Sequence, residues 1–184
     1  MAFLILERGF ARLDALEMET CILCNRVARN NLIRWYFSIV SRLGDGVAWF
    51  VMLLVLPIVF GSSAIGPTLH MSITALIAVM VYKLLKKWLA RERPCLSQSQ
   101  VFALTEPLDR YSFPSGHTMH SIVFIVMLTE YFPHIALLML PYAISVALSR
   151  VVLGLHYPSD VLAGVLLGYS IAHASLYAGV LAGV

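Results

Sequence analysis

The chain has 184 residues, 60% of them hydrophobic and 12% charged, with a formal net charge of +3 and a mean hydropathy of +0.83. Soluble domains carry about 25% charged residues, so this composition excludes an ordinary water-soluble domain and points to a single membrane-embedded one, residues 1–184. The three cysteines, Cys21, Cys24 and Cys95, lack the second C-x-x-C of a zinc site and the βαβ surroundings of a redox motif, and they are expected to be structural or incidental.

Residues 1–43 come first. Leu6, Phe10, Leu13 and Leu16 recur at helical spacing opposite Arg8, Arg12 and Glu19. Arg26, Arg29, Arg34 and Arg42 then interrupt the apolar residues that follow. A charge at the bilayer centre costs about 2.5–3.5 kcal/mol, so this segment is expected to lie in the interface as an amphipathic helix. Glu7 and Arg8 break the apolar start, and no small-residue cleavage site follows, so a cleaved signal peptide is not expected. Trp35, Tyr36 and Trp88 suit anchors at the headgroup level. Gly44-Asp45-Gly46 is expected to form a turn into the first span.

Residues 44–184 carry the apolar stretches. A bilayer core of about 30 Å takes about 20 residues of helix. Val47–Ile65, Thr68–Leu85, His117–Phe132, Ile135–Ser149 and Asp160–Tyr177 come close. The expected fold is therefore all-α, a polytopic transmembrane helix bundle of five spans, or six if a crossing hides in residues 1–43. Pro67 suits a first helical turn, and Pro57 and Pro141 fall inside spans, where neighbouring helices tolerate a kink. Gly164 and Gly168 form a small-xxx-small pair suited to close helix packing.

The polar residues at the span ends carry the chemistry. Span two ends in Lys83, Lys86, Lys87, Arg91 and Arg93-Pro94, and span three opens with Phe113-Pro114-Ser115-Gly116-His117. Span four ends in Ser149-Arg150, and span five opens after His156-Tyr157-Pro158-Ser159-Asp160. Because spans alternate direction, these clusters share one membrane face. Lys86, Arg93 and Arg150 offer cations, and arginine forks match phosphate oxygens two at a time. Ser115 and Gly116 open a helix whose free N–H groups suit an anion. His117 and His156 lie beside that anion site, one to attack phosphorus and one to protonate the departing oxygen. Asp160, four residues after His156, is in reach of its second ring nitrogen, where a carboxylate fixes the tautomer.

Three segments, Lys86-x6-Arg93-Pro94, Pro114-Ser115-Gly116-His117 and Ser149-Arg150-x5-His156-x3-Asp160, together resemble the three-part signature of the type 2 phosphatidic acid phosphatase superfamily. The vanadium haloperoxidases also belong to that superfamily. The resemblance covers Lys86 to Asp160 with no departure at a signature position. It implies His156 as nucleophile, Asp160 as its partner and His117 as general acid, with Lys86, Arg93, Ser115, Gly116 and Arg150 holding the phosphate. It also implies a bacterial-type lipid phosphatase that works through a phosphohistidine without a metal or other cofactor. The expected partners are the bilayer and a phospholipid or polyprenyl phosphate substrate, with no nucleic acid and no obligatory protein. Undecaprenyl diphosphate, phosphatidylglycerol phosphate, phosphatidic acid and lipid A all suit such a site. A phosphotransferase of the same fold, or a non-catalytic lipid-binding protein, are the alternatives.

Lys87 and Arg91 are expected to snorkel at a helix end. His70, His120, His134 and His173 are expected to be packed or interfacial, with His120, one turn after His117, the nearest exception. The loop Cys95–Tyr111, with Glu106, Asp109 and Arg110, is expected to line the pocket mouth without a further role. Residues 1–43 and nearly every Lys and Arg share the active face, so the positive-inside rule places that face in the cytoplasm. The resemblance implies the outer face of the plasma membrane, and the expectation leans that way.

Overall fold

The computed structural model describes the backbone of residues 2–107 and 109–182 and the side chains of residues 12–107 and 109–180. The expected placement of Leu6, Arg8 and Phe10 on helix faces lies outside the described side chains. Among the described residues every regular element is helical. The main helices are α1 (Ala2–Val27), α2 (Asn31–Arg42), α3 (Ala48–Phe60), α4 (Ile65–Leu89), the short α5 (Pro94–Ser97), α6 (Gly116–Tyr131), α7 (Pro133–Val152) and α8 (Pro158–Ala182).

Three helical stretches among the described residues are long and apolar enough to cross a membrane: Asn31–Ser97, Pro133–Val152 and Pro158–Val180. The first is 67 residues long and contains α2 to α5. The expected crossing at His117–Phe132 is only the 16 residues of α6, about 24 Å of helix at 1.5 Å per residue. It is the central helix, packing against α4, α7 and α8.

The polarity of the molecule is inverted. Ile58 on α3, Leu137 on α7 and Leu166 on α8 are 81%, 72% and 60% exposed, whereas Arg93, His156 and Asp160 are buried. An apolar exterior around buried charges is the arrangement a bilayer requires. The core is centred on α6, where Phe124 stacks on Trp49 of α3 with ring centroids 4.8 Å apart. Met71, Met127, Leu128 and Ala172 close around them.

The α6–α8 contact is closest where the glycine pair predicted it. A Cβ on Gly164 would lie 2.7 Å from the Ser115 carbonyl oxygen, and one on Gly168 would lie 2.5 Å from that of Met119. Neither carbonyl has a flexible side chain's freedom to move, so any larger residue forces the helices apart. Pro57 and Pro141 stand inside α3 and α7, as the sequence suggested.

Residues 1–43 form two helices rather than one segment. Asn30 separates them by capping α2, its side-chain oxygen accepting from Leu32 N at 2.9 Å and Ile33 N at 3.4 Å. The inward face of α1 is mixed: Cys21, Met18 and Ile22 pack with Val101 and Tyr157, Asp14 and Glu17 reach Arg91, and the Asn25 amide binds Phe102 O at 3.0 Å and Val152 O at 3.2 Å. Leu13, Leu16 and Leu23 face outward. The expected turn at Gly44-Asp45-Gly46 is instead one wide π-helical turn, Leu43–Val47, that carries α2 into α3 with a kink at Gly46.

Candidate active site

The span ends that sequence reasoning placed on one face meet in a cavity of about 160 Å³. Lys86 from the end of α4, Arg93 before α5, Gly116 and His117 from the start of α6, Arg150 from the end of α7 and His156 before α8 all line it. Ser115 and Asp160 stand one layer behind. The Ser115 N–H donates to Asp160 O at 3.0 Å, and its hydroxyl lies 3.0 Å from that of Thr118. Gly116 leaves room for the Tyr82 ring, which a Cβ would meet at 3.3 Å.

His156 is 1% exposed. Arg93 Nη1 donates into its Nε2 at 3.2 Å, which fixes Nε2 as the lone-pair nitrogen. Its Nδ1 lies 3.5 Å from Asp160 Oδ2, an ion-pair distance just beyond a good hydrogen bond. Burial first, and then the positive charges of Arg93, Arg150 and Lys86, hold the imidazole well below its usual range. It is therefore neutral, the state a nucleophile needs.

The cations already hold a carboxylate. Lys86 Nζ donates to Asp109 Oδ1 and Oδ2, both at 2.7 Å, and Arg93 Nη2 donates to Asp109 Oδ1 at 2.8 Å. Two carboxylate oxygens thus sit between an ammonium and a guanidinium, the donor types that also suit phosphate oxygens. Arg150 donates from Nη1 to Ser41, while its buried Nε has no hydrogen-bond partner among the described residues. That leaves a donor for an anion.

Sequence reasoning missed three residues here. Asp109 was expected only at the pocket mouth, yet it bridges two signature cations. Asp45 was assigned to a turn, yet it accepts a hydrogen bond from His117 Nε2. Arg91 was expected to snorkel and is instead 3% exposed. Its Nη1 donates to Asp160 Oδ1 at 2.6 Å and to Ser159 Oγ at 2.7 Å, and its Nη2 donates to Asp14 at 2.7 Å and Glu17 at 3.0 Å. The guanidinium also lies 4.0 Å from the centroid of the Tyr157 ring. An acidic i, i+3 pair, Asp14 and Glu17, on the amphipathic first helix was the available sign of this partner.

His70, His120 and His173 are packed against neighbours, as expected. His70 is bound by Tyr131 and Ser175 at 2.7 and 2.8 Å. His173 packs on Tyr169. His120 lines the cavity but bonds the Ala75 carbonyl at 3.0 Å. The three cysteines are unpaired.

The profile of the PAP2 superfamily matches residues 67–181, the stretch from the start of α4 to the end of α8 that holds the whole constellation. The chain belongs to the PAP2 superfamily of membrane lipid phosphatases. Within this superfamily it is 30% identical over 161 residues to the undecaprenyl-diphosphatase of Sulfolobus acidocaldarius, covering 87% of this chain and 76% of that one. It is 33% identical over 112 residues to the lipid A 1-phosphatase of Rhizobium etli, covering 57% of this chain but only 48% of that relative. The PAP2 chain thus spans about half the length of the Rhizobium protein. The crystal structure of Aquifex aeolicus LpxE superposes with a TM-score of 0.75 at 28% identity, over 88% of this chain and 95% of that one.

Proposed function

We propose that this protein removes phosphate from the headgroup of a membrane lipid through a phosphohistidine on His156. One observation carries this: His156 Nε2 and His117 line a single cavity whose other walls are the cations Lys86, Arg93 and Arg150.

The chemistry follows from those positions. Phosphate oxygens engage Lys86, Arg93 and Arg150, displacing the Asp109 carboxylate and withdrawing Arg93 from the His156 lone pair. Nε2 then attacks phosphorus, and the bonding pair to the leaving group departs on its oxygen, which takes a proton from His117. The phosphorylated ring gains positive character, and Asp160 offsets it through Nδ1. Water next attacks phosphorus, gives a proton to His117, and returns the P–N electron pair to His156. Phosphate leaves.

An apolar groove of about 520 Å³ adjoins the cavity and shares Asp45, Val79 and His120 with it. Trp49, Phe50, Leu53, Leu76 and Phe124 line it between α3, α4 and α6, a surface suited to a hydrocarbon chain. The five helices α3, α4, α6, α7 and α8 serve as the crossings, and α1 and α2 lie against their charged end. Lipid A and undecaprenyl diphosphate, named by the relatives, are the first substrates to try, followed by phosphatidylglycerol phosphate and phosphatidic acid.

The test is phosphate release by detergent-purified protein against those four lipids. The wild type is expected to release phosphate from at least one of them, and His117→Ala to lower that rate by about 10²–10⁴-fold, the usual worth of a proton-transfer group. Folded wild-type protein that cleaves none of them overturns the hydrolase assignment. Vanadate inhibition probes the cradle separately. Asp109→Asn removes the competing carboxylate from Lys86 and Arg93, so vanadate is expected to inhibit about tenfold more tightly, the worth of one charge-assisted contact. Unchanged or weaker inhibition would show that Asp109 does not compete for the site.

A further inference from the structure

Asp45 has no part in the steps above, yet the backbone around it is shaped to bring it to His117. A Cβ on Gly44 would lie 3.1 Å from a Val146 methyl and 3.5 Å from His117 Cδ2. A larger residue there would press on the Val146 side chain and push the turn away from α7 and α6. Gly46 has φ 128, a conformation other residues rarely adopt. Between the two, Asp45 accepts the Nε2–H of His117, and it sits where the cavity meets the apolar groove. Inserted π turns of this kind cost regular hydrogen bonding and recur at functional sites.

The surroundings give the carboxylate a purpose. His117 faces Lys86 from α4, Arg93 and His156 from the loops, and Arg150 from α7. The other nearby acid, Asp109, is already engaged by Lys86 and Arg93. His120, on the same helix, is occupied by Ala75 O. Asp45 is thus the anion that His117 touches directly.

We propose that Asp45 is a positioning residue that holds His117 as the protonated acid for the leaving group. This rests on the hydrolase assignment above. Asp45 fixes the ring through Nε2, which leaves Nδ1 to serve the leaving oxygen. As the P–O bond breaks, that oxygen takes the Nδ1 proton and His117 becomes neutral, while Asp45 stays ionised. The water of the second step restores the proton.

The experiment compares two esters that differ in their need for an acid. An alkoxide leaving from n-dodecyl phosphate needs a proton, whereas the nitrophenolate of 4-nitrophenyl phosphate leaves without one. In Asp45→Asn the ratio of dodecyl to nitrophenyl turnover is expected to fall by at least about tenfold, a fraction of the 10²–10⁴-fold that general acids supply. The alkaline limb of the dodecyl pH–rate profile is expected to move to lower pH. Asp45→Glu keeps the carboxylate and is expected to keep most of the ratio, so it serves as the second variant if the asparagine protein does not fold. Equal loss on both esters, or a ratio that falls as far in Asp45→Glu as in Asp45→Asn, means a structural role and overturns the proposal. So does an unchanged ratio in Asp45→Asn. Wild-type protein that cleaves neither these esters nor any of the four lipids overturns the hydrolase assignment instead, which separates the two failures.

Discussion

His156→Ala is expected to reduce phosphate release to background on every lipid the wild type cleaves, because the attacking nitrogen is gone. Thermal unfolding in detergent should change little by comparison. The variant deletes a buried ring, but it also relieves the cost of keeping that ring uncharged among cations. The same burial predicts a pH signature. An imidazole in an unfolded chain takes up a proton near pH 6.5, whereas His156 in the folded site resists one. Protonation therefore favours the unfolded chain, and the contribution of this group to stability falls as pH drops below about 6.5. The turnover of the wild type should show no loss centred on that value from the nucleophile itself. Phosphate release by His156→Ala above a tenth of the wild-type rate would sink the assignment of the nucleophile.

Arg91→Ala is expected to be the most destabilising single change in the site. Its guanidinium is the common partner of Asp160, Asp14 and Glu17, and Asp160 is fully buried. Removing one side of a buried ion pair costs about 3–5 kcal/mol because the other charge is left uncompensated. Activity should fall with stability, since Asp160 loses the contact that orients it toward His156. Arg91→Lys should recover only part of either quantity, because an ammonium cannot reach opposed carboxylates from one planar fork. A melting curve for Arg91→Ala that overlays the wild type would refute this account of the cluster.

What was legible in the sequence was whatever is encoded locally. Apolar stretches such as Ile135–Ser149 declare themselves by hydropathy, and the alternation of spans brings Lys86, His117, Arg150 and His156 together without any coordinates. The partners of those residues were not legible, because each depends on a contact across the bundle. Arg91 lies five residues after Lys86 in a basic run, and the same run would arise from a snorkelling helix end. Asp45 between two glycines has the composition of a tight turn, and only the packing of α6 and α7 against it separates a turn from a helical bulge. Asp109 sits in a loop with no periodicity, so nothing in its neighbours marks it as the counterion of two signature cations. Residues 1–43 were expected to lie in the interface, with a sixth crossing as the alternative, and their division at Asn30 and the inward acids of α1 needed the fold.

The glycine contacts between α6 and α8 have a consequence for how the catalytic groups stay in register. In a bilayer the outward leucines remain in apolar surroundings whether or not the helices associate, so close packing and buried hydrogen bonds must supply the cohesion. Gly164 rests against the carbonyl of Ser115, and the N–H of Ser115 in turn binds the carbonyl of Asp160. His117 is carried at one side of that seam, and His156 with Asp160 at the other. A slip of one helical turn, about 5.4 Å, would separate acid from nucleophile by more than the width of a phosphate. The seam thus acts as a vernier, in which the two glycine notches set the distance between His117 and His156.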